Sequence, residues 1–375
     1  MSERRNRYTI QAVARALTVL RCFDSPRQVL ALKDVVQRTG FSKPFCFRAL
    51  QTLCECGLLQ KVAPNAYRRV DEFWRGPRTR IGYASIGDRT SFAREVDRSV
   101  ALAAERHGVQ LISLDNGYDP QRALKNADYL VREQVDLVIE FQTHAAVAPQ
   151  IAAKYLAARI PFIAVDVPHP GGVYFGADNY NAGRLAGRYL GKWILHYWNG
   201  ELDQLLLLEI RRAGQLAQMR LQGVIDGLRE MLRGRPWPAV MRLDGDGLFG
   251  TSLEVVRGYL RNLPSGARVA VAAANDASAL GAVRALEEAG RAGECVVTGQ
   301  NGEPDARLVL RERNTPLICT VAYFPEEYGP ALIRLALDIL AGRPVPPAAF
   351  VRHVLLTPAN VDRIYANDPA ALATA

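Results

Sequence analysis

The chain has 375 residues, nearly half of them apolar, and carries 47 Lys and Arg against 38 Asp and Glu for a net charge of +9. At roughly 150 residues per compact unit, that length accommodates two or three domains with sizeable cores. No stretch approaches the roughly 18 consecutive apolar residues of a membrane span; the longest, Leu205–Leu208 and Val269–Ala274, suit buried strands. The N-terminus, Met1 through Arg7, has no apolar export segment or small-residue cleavage site, so the cytoplasm is the expected location. The six cysteines show no paired spacing of a disulfide framework. Cys54 and Cys56 would face different sides of a helix, and no His precedes residue 81, so neither a metal site nor another cofactor is expected.

The charge is unevenly placed. Residues 1–80 hold 16 Lys and Arg against 6 Asp and Glu, and the remaining 295 residues hold 31 against 32. A basic head on a neutral body is the electrostatic footprint of a nucleic-acid-binding module joined to a second function.

In chain order, Ile10, Val13, Ala16, Leu17 and Leu20 recur at helical spacing and predict a first helix with one apolar face, ending before Pro26. Leu30–Gln37 predicts a second short helix, with Leu32, Val35 and Val36 inward. Gly40 supplies a tight turn, Ser42 a helix N-cap and Pro44 a first-turn residue. The third helix runs to about Cys56 with Cys46, Ala49, Leu50 and Leu53 inward. A hairpin follows, turning at Ala63-Pro64-Asn65. This order is an α+β winged helix-turn-helix, whose second motif helix enters the DNA major groove. Ser42 opens that helix, and Lys43, Phe47, Arg48 and Gln51 occupy its outer face, where Arg or Lys reads guanine, Gln reads adenine and an aromatic touches a thymine methyl. Lys61, Arg68 and Arg69 on the hairpin are candidates for phosphate contacts. A protein-interaction module is the alternative, disfavoured by the surplus of ten cations.

The segments Gln11–Leu17, Leu32–Lys43, Arg48–Leu53 and Gly57-Leu58-Leu59 resemble the DNA-binding domain of IclR-type transcriptional regulators over about residues 8–69. The sequence departs from that family's pattern at Pro44-Phe45-Cys46-Phe47, so base preference does not carry over.

After the connector Arg75-Gly76-Pro77-Arg78, strands and helices alternate from Arg80 to Gly299, with a break near Asp178. That rhythm predicts parallel sheets flanked by helices, and its two halves predict two lobes around a cleft, the usual place for a small ligand. Loops following the strands hold Asp88 and Arg89; Glu140, Gln142 and His144; Asp166 and His169; Asn275 and Asp276; Gln300 and Asn301. Asp276 precedes a helix and reads as its cap. Gly183, Gly187 and Gly191, spaced by four, predict close packing of one helix face.

Ile160–Asp166, Gly176–Gly183, Arg220–Gly223, Ala274–Ala282 and Gly302–Asp305 resemble the type I periplasmic binding-protein fold, especially the ribose-binding and LacI-type ligand domains, over about residues 79–362. The resemblance implies sugar contacts at Asp166, Arg220, Asn275 and Asn301, and ring-facing aromatics at Phe92 and Tyr323; Asp88 and Gln142 complete the candidate set. Val167 and Asn301 depart from the sugar binders, which often have Arg and usually Asp there.

The expected organisation is therefore a DNA-binding head at 1–70, a linker at 71–79, a two-lobed α/β ligand domain at 80–362 and a tail at 363–375. The expected function is that of a non-enzymatic, ligand-responsive transcriptional regulator, acting as a homodimer on an operator duplex, away from membranes, with a sugar or polyol effector. A transporter's solute-binding component is the alternative.

Overall fold

A computed structural model describes residues 10–23, 28–70, 79–312, 314–366 and 368. The chain forms two compact units, Met1–Arg78 and Thr79–Ala375. The expected break at Pro26 and the connector at 71–78 lie outside the described residues, and Thr79 belongs to the second unit.

In the first unit, α1 (Gln11–Leu20), β1 (Val29–Ala31), α2 (Leu32–Thr39), α3 (Lys43–Glu55), β2 (Leu59–Ala63) and β3 (Ala66–Arg69) follow in order. The strands form one antiparallel sheet, β1-β3-β2. Leu30, expected to open a helix, instead lies in β1 opposite Tyr67, where both side chains are buried. Three residues are too few to show a strand period, and the partner that makes them a strand lies far along the chain. Gly40 closes α2 at φ 68°, a left-handed position suited to glycine. Ser42 occupies the N-cap position of α3, but its side chain makes no cap bond, contrary to expectation.

The core joins Val19, Leu20, Phe23, Leu32 and Val35 to Cys46, Leu50, Leu53, Leu59 and Tyr67. The predicted apolar face of α1 departs in part, since only Leu20 of its five residues is fully buried. Ile10, Val13 and Leu17 are 69%, 53% and 44% exposed, and the buried residues of that helix are Val19 and Leu20. Helical spacing places apolar side chains together without specifying what covers them.

The second unit has two six-stranded sheets. The first is wholly parallel, in the order Ala348–Phe350, Val173–Gly176, Phe162–Val165, Leu137–Phe141, Arg80–Ser85, Gln110–Asp115; the second runs Ala239–Asp244, Gln204–Glu209, Val269–Ala273, Cys295–Asn301, Leu317–Ala322, Val354–Leu356, with only the last antiparallel. The first lobe holds β4 (Arg80–Ser85), α4 (Ser91–Arg106), β5 (Gln110–Asp115), α5 (Pro120–Arg132), β6 (Leu137–Phe141), α6 (Ala148–Ala157), β7 (Phe162–Val165) and β8 (Val173–Gly176). The second begins with α7 (Asn179–Tyr197), followed by β9 (Gln204–Glu209), α8 (Gly214–Met231), β10 (Ala239–Asp244), α9 (Phe249–Leu260), β11 (Val269–Ala273), α10 (Asp276–Glu288), β12 (Cys295–Asn301), α11 (Pro304–Arg311) and β13 (Leu317–Ala322). The chain then returns to the first lobe for α12 (Pro325–Leu340) and β14 (Ala348–Phe350), and ends in the second with β15 (Val354–Leu356) and α13 (Val361–Ile364). It thus passes between lobes three times, after β8, β13 and β14. Buried strands such as Leu205–Leu208 and Val269–Ala273 are apolar on both faces, as helix-covered parallel strands must be.

The glycine spacing of α7 resolves into packing against α8. A methyl carbon on Gly183 would lie 1.8 Å from the Arg220 carbonyl oxygen, and the reciprocal glycines Gly223 and Gly227 meet the α7 backbone. The expected tail at 363–375 requires correction. Arg363 and Ile364 finish α13, and the buried Asp368 carboxylate accepts from Arg307 Nε at 2.8 Å and from Arg311 Nη1 at 3.1 Å. The second unit therefore extends through Asp368.

Candidate ligand-binding cleft and nucleic-acid interface

In parallel sheets the loops after the strands gather at one end, and here two such ends face each other. A cavity of about 80 Å³ lies between them, lined from the first lobe by Thr90, Phe92, Tyr118, Phe141, Thr143, Asp166 and Val167. The second lobe contributes Ile210, Arg212, Arg220, Asp246, Asn275 and Asn301, and Asn179 stands at the first crossover. Small apolar residues close the lobes beside it, with Ala145, Ala148 and Val167 packed against Ile210, Ala213 and Ala217.

Asp166 follows β7 with φ 59°, a left-handed position that Asp tolerates, and its N–H donates to Phe175 O at 2.9 Å. A methyl on Gly176 would lie 2.5 Å from Asp166 Oδ1, so glycine there lets the carboxylate approach the strand. Removal from bulk water pushes the Asp166 carboxyl up to about 6, while neighbouring Arg220 opposes the shift.

Arg220 projects from α8. Its Nε donates to Asn179 Oδ1 at 2.9 Å, Nη1 donates to the Ala274 carbonyl, and the guanidinium lies over the Tyr323 ring at 5.0 Å. Asn275 caps α10 by accepting from Ser278 N at 3.1 Å, and its amide donates to Gly247 O at 2.9 Å. Asn301 Nδ2 donates to Glu303 Oε1 at 2.9 Å, and Glu303 Oε2 accepts from Ser91 Oγ of the opposite lobe at 2.9 Å.

Of the eight residues predicted for the cleft, Phe92, Asp166, Arg220, Asn275 and Asn301 line this cavity. The other three do not. Asp88 is exposed, with its backbone carbonyl accepting from Arg94 at 2.7 Å. Tyr323 is buried behind Arg220 and donates its hydroxyl to Gln300 Oε1 at 2.7 Å, so it braces the guanidinium instead of walling the cavity.

Gln142 is buried in a relay. His169 Nδ1 lies 2.8 Å from the Val167 carbonyl, which fixes the proton on that nitrogen, so Nε2 accepts from the Gln142 amide at 3.3 Å. Gln142 Oε1 in turn accepts from His144 N. Burial lowers His169 to about 4, keeping the ring neutral near pH 7, and the relay ties the loop after β6 to the loop after β7. Asp276, expected as a helix cap, is buried and accepts from Thr320 Oγ1 at 2.6 Å and Glu303 N at 2.8 Å.

Sequence reasoning missed Tyr118, Phe141, Thr143, Asn179, Arg212 and Asp246 in the lining. Only Asn179 carried a signal, within the quoted segment Gly176–Gly183. Arg212 lies in a turn after β9 and pairs with Asp246, with Nη1 to Oδ2 at 2.7 Å and Nη2 to the backbone carbonyl at 2.8 Å. Its guanidinium crosses the cleft to the Tyr118 ring at 5.2 Å.

On the first unit, Ser42, Lys43, Phe47, Arg48, Lys61 and Arg68 are exposed. Gln51 and Arg69 are partly buried and tied inward. Gln51 Nε2 donates to Tyr67 Oη at 3.2 Å, and Arg69 Nη1 donates to Phe23 O at 3.2 Å. Arg68 Nη2 donates to Gln60 Oε1 at 2.9 Å from an exposed position.

The profile of the periplasmic binding protein domain matches residues 81–344. The chain belongs to that family. Its first unit is an IclR helix-turn-helix domain, matched over residues 12–63. The periplasmic binding protein domain is similar to the ribose import binding protein of Salmonella typhimurium, at 26% identity over 245 residues, covering 64% of this chain and 78% of that protein. It is also similar to the galactofuranose-binding protein of Escherichia coli, at 24% over 263 residues, covering 67% and 79%. Among solved structures, a solute-binding protein of Actinobacillus succinogenes with bound D-allose superposes with a TM-score of 0.67 at 21% identity, covering 76% of this chain and all of that one. A solute-binding protein of Bacillus halodurans with bound myo-inositol gives 0.67 at 21%, covering 78% and 99%. These superpositions establish the two-lobed fold. Among the described residues, no helix of this family member is long and apolar enough to cross a membrane.

Proposed function

We propose that this protein is a ligand-responsive transcriptional regulator whose helix-turn-helix head binds duplex DNA and whose cleft senses a sugar or related polyol. The observation that carries this reading is the occurrence of both parts in one chain: a basic IclR-type head with Lys43, Phe47 and Arg48 exposed on α3, and a sugar-binder-like domain with a polar, aromatic-walled cavity. Hydroxyl-rich ligands need fixed donors and acceptors at their edges and apolar surface on their ring faces. Asp166, Arg220, Asn275 and Asn301 supply the former, and Phe92 and Phe141 the latter. A transport subunit would use the body and give the basic head no role. Work on DNA places the protein in the cytoplasm, and no step of the reading requires catalysis.

A single small head makes few base contacts, so tight specific binding calls for a homodimer on a two-fold-related operator. The experiment has two arms. Selection of the intact protein on a random-sequence duplex library yields the operator, and calorimetry against pentoses, hexoses, inositols and alditols yields the effector. Reciprocity then applies: effector changes operator affinity by the same factor as operator changes effector affinity, commonly about 5- to 150-fold. Absence of any duplex binding at low salt, or identical effector affinity with and without operator, refutes the regulator.

A further inference from the structure

Arg212 and Thr143 face the cavity from opposite lobes, and each leaves one buried polar atom without a hydrogen-bond partner among the described residues: Arg212 Nε and Thr143 Oγ1. The Arg212 side chain is only 15% exposed. Its two terminal nitrogens are engaged by Asp246 at 2.7 and 2.8 Å, and its face lies against Tyr118, so the guanidinium is held in place. A buried donor left unpaired is costly, and a donor fixed in that state beside a cavity is preorganised for an oxygen arriving from within it.

The charge of the wall narrows what that oxygen belongs to. The two cavity cations, Arg212 and Arg220, are matched by two carboxylates in the same lining, Asp246 and Asp166. With two charges of each sign, the lining carries no net positive charge to neutralise an incoming carboxylate or phosphate. Arg212 also differs from a bare anion clamp, because both of its terminal nitrogens are already engaged by Asp246 and Nε is the nitrogen left without a partner among the described residues.

We propose that Arg212 Nε and Thr143 Oγ1 form a cross-lobe subsite for one hydroxyl group of an uncharged polyhydroxylated ligand, accepting from Arg212 and hydrogen-bonded to Thr143. This rests on the sensor reading above and extends it, naming the ligand class and two binding residues that sequence did not single out. Because the two atoms belong to different lobes, the bound hydroxyl also links the lobes directly.

The test uses calorimetry on the full chain with pentoses, hexoses, inositols and alditols, alongside uronate and sugar-phosphate counterparts. The expected result is binding of at least one uncharged probe and at least tenfold weaker binding of its charged counterparts. Thr143→Val keeps the side-chain shape, and Arg212→Lys keeps the charge facing Asp246 while deleting the Nε donor. Each should weaken the tightest uncharged probe by about tenfold or more. One monodeoxy analogue of that probe should lose affinity for the wild type yet bind wild type and Thr143→Val alike, a coupling that a merely structural role for Thr143 would not produce. Tightest binding by a charged probe overturns the ligand class. An uncharged probe that binds both variants as well as wild type overturns the subsite and leaves the sensor standing. Binding of no probe at all refutes the sensor reading, and the subsite with it.

Discussion

Gly183→Ala is the sharpest test of how this fold positions its cleft. The added methyl carbon would fall 1.8 Å from the Arg220 carbonyl oxygen and 3.1 Å from Val224 N, against ordinary contact at 3.4–4 Å. The obstacle is helix backbone, which no side-chain rotation relieves, so α7 and α8 must part by about 1.5 Å, with local loss of packing along the seam. Overpacking of this kind costs about 1–3 kcal/mol, and a backbone obstacle places it at the upper end. At about 2–4 °C per kcal/mol, a cost of about 2–3 kcal/mol should lower the thermal midpoint of the ligand-binding unit by roughly 4–12 °C.

The same residue couples stability to the site, because the displaced carbonyl belongs to Arg220, whose side chain is held by Asn179 and Ala274. Ligand affinity should therefore fall together with stability. Gly258→Ala is the internal control. It lies at an exposed position of α9 with nothing within 4 Å of the added carbon, and should raise stability by about 0.5–1 kcal/mol. Calorimetric scans of both variants decide the matter. A Gly183→Ala protein as stable as wild type, with unchanged ligand affinity, would refute the reading of α7–α8 contact as the support of Arg220.

Asp368→Ala removes the paired carboxylate of the buried Arg307 guanidinium, leaving it Gly302 O and the more distant Glu95, and should cost about 3 kcal/mol in urea unfolding; a loss below 1 kcal/mol would return residues 363–375 to the status of a tail. For Asp166, held at about 6 in the free protein, a ligand that needs the ionised carboxylate should bind progressively more weakly as pH falls through 6, approaching tenfold per unit well below it. Asp166→Asn should abolish that slope, and an unchanged slope in calorimetric titrations would assign the proton elsewhere. On the head, Arg48→Ala should cost about 1–3 kcal/mol at the selected operator. Lys61→Ala should weaken all duplexes alike and reduce the salt slope by about one, measured by fluorescence anisotropy at several salt concentrations.

The sequence made the strand–helix alternation legible because parallel strands covered on both faces read as short apolar runs, Leu205–Leu208 being the plainest. Short strands escaped it. Val29–Ala31, Ala348–Phe350 and Val354–Leu356 have three residues each, and partners distant in the chain make them strands; Val173–Gly176 has only four. In the cleft, Asp166, Asn275 and Asn301 were legible because polar residues after buried strands share one end of a sheet, and Arg220, within α8, through the resemblance carried by Arg220–Gly223. Tyr323 and Gln142 lie in the same kinds of loop and face other partners, a difference set by side-chain direction, which loop position does not encode.

By itself, the sequence determined the basic head, the two-lobed α/β body and the end of each lobe where polar groups collect. These follow from local composition, period and strand–loop order, all readable within a few consecutive residues. Only the tertiary structure decided that Arg212 and Thr143 meet across the cleft, that Gly183 sits on the Arg220 carbonyl, that Ile10, Val13 and Leu17 of the α1 apolar face lie exposed, and that Asp368 is core. Each of these turns on which distant segments come together, and pairing across the chain is set by the packing of whole lobes and domains.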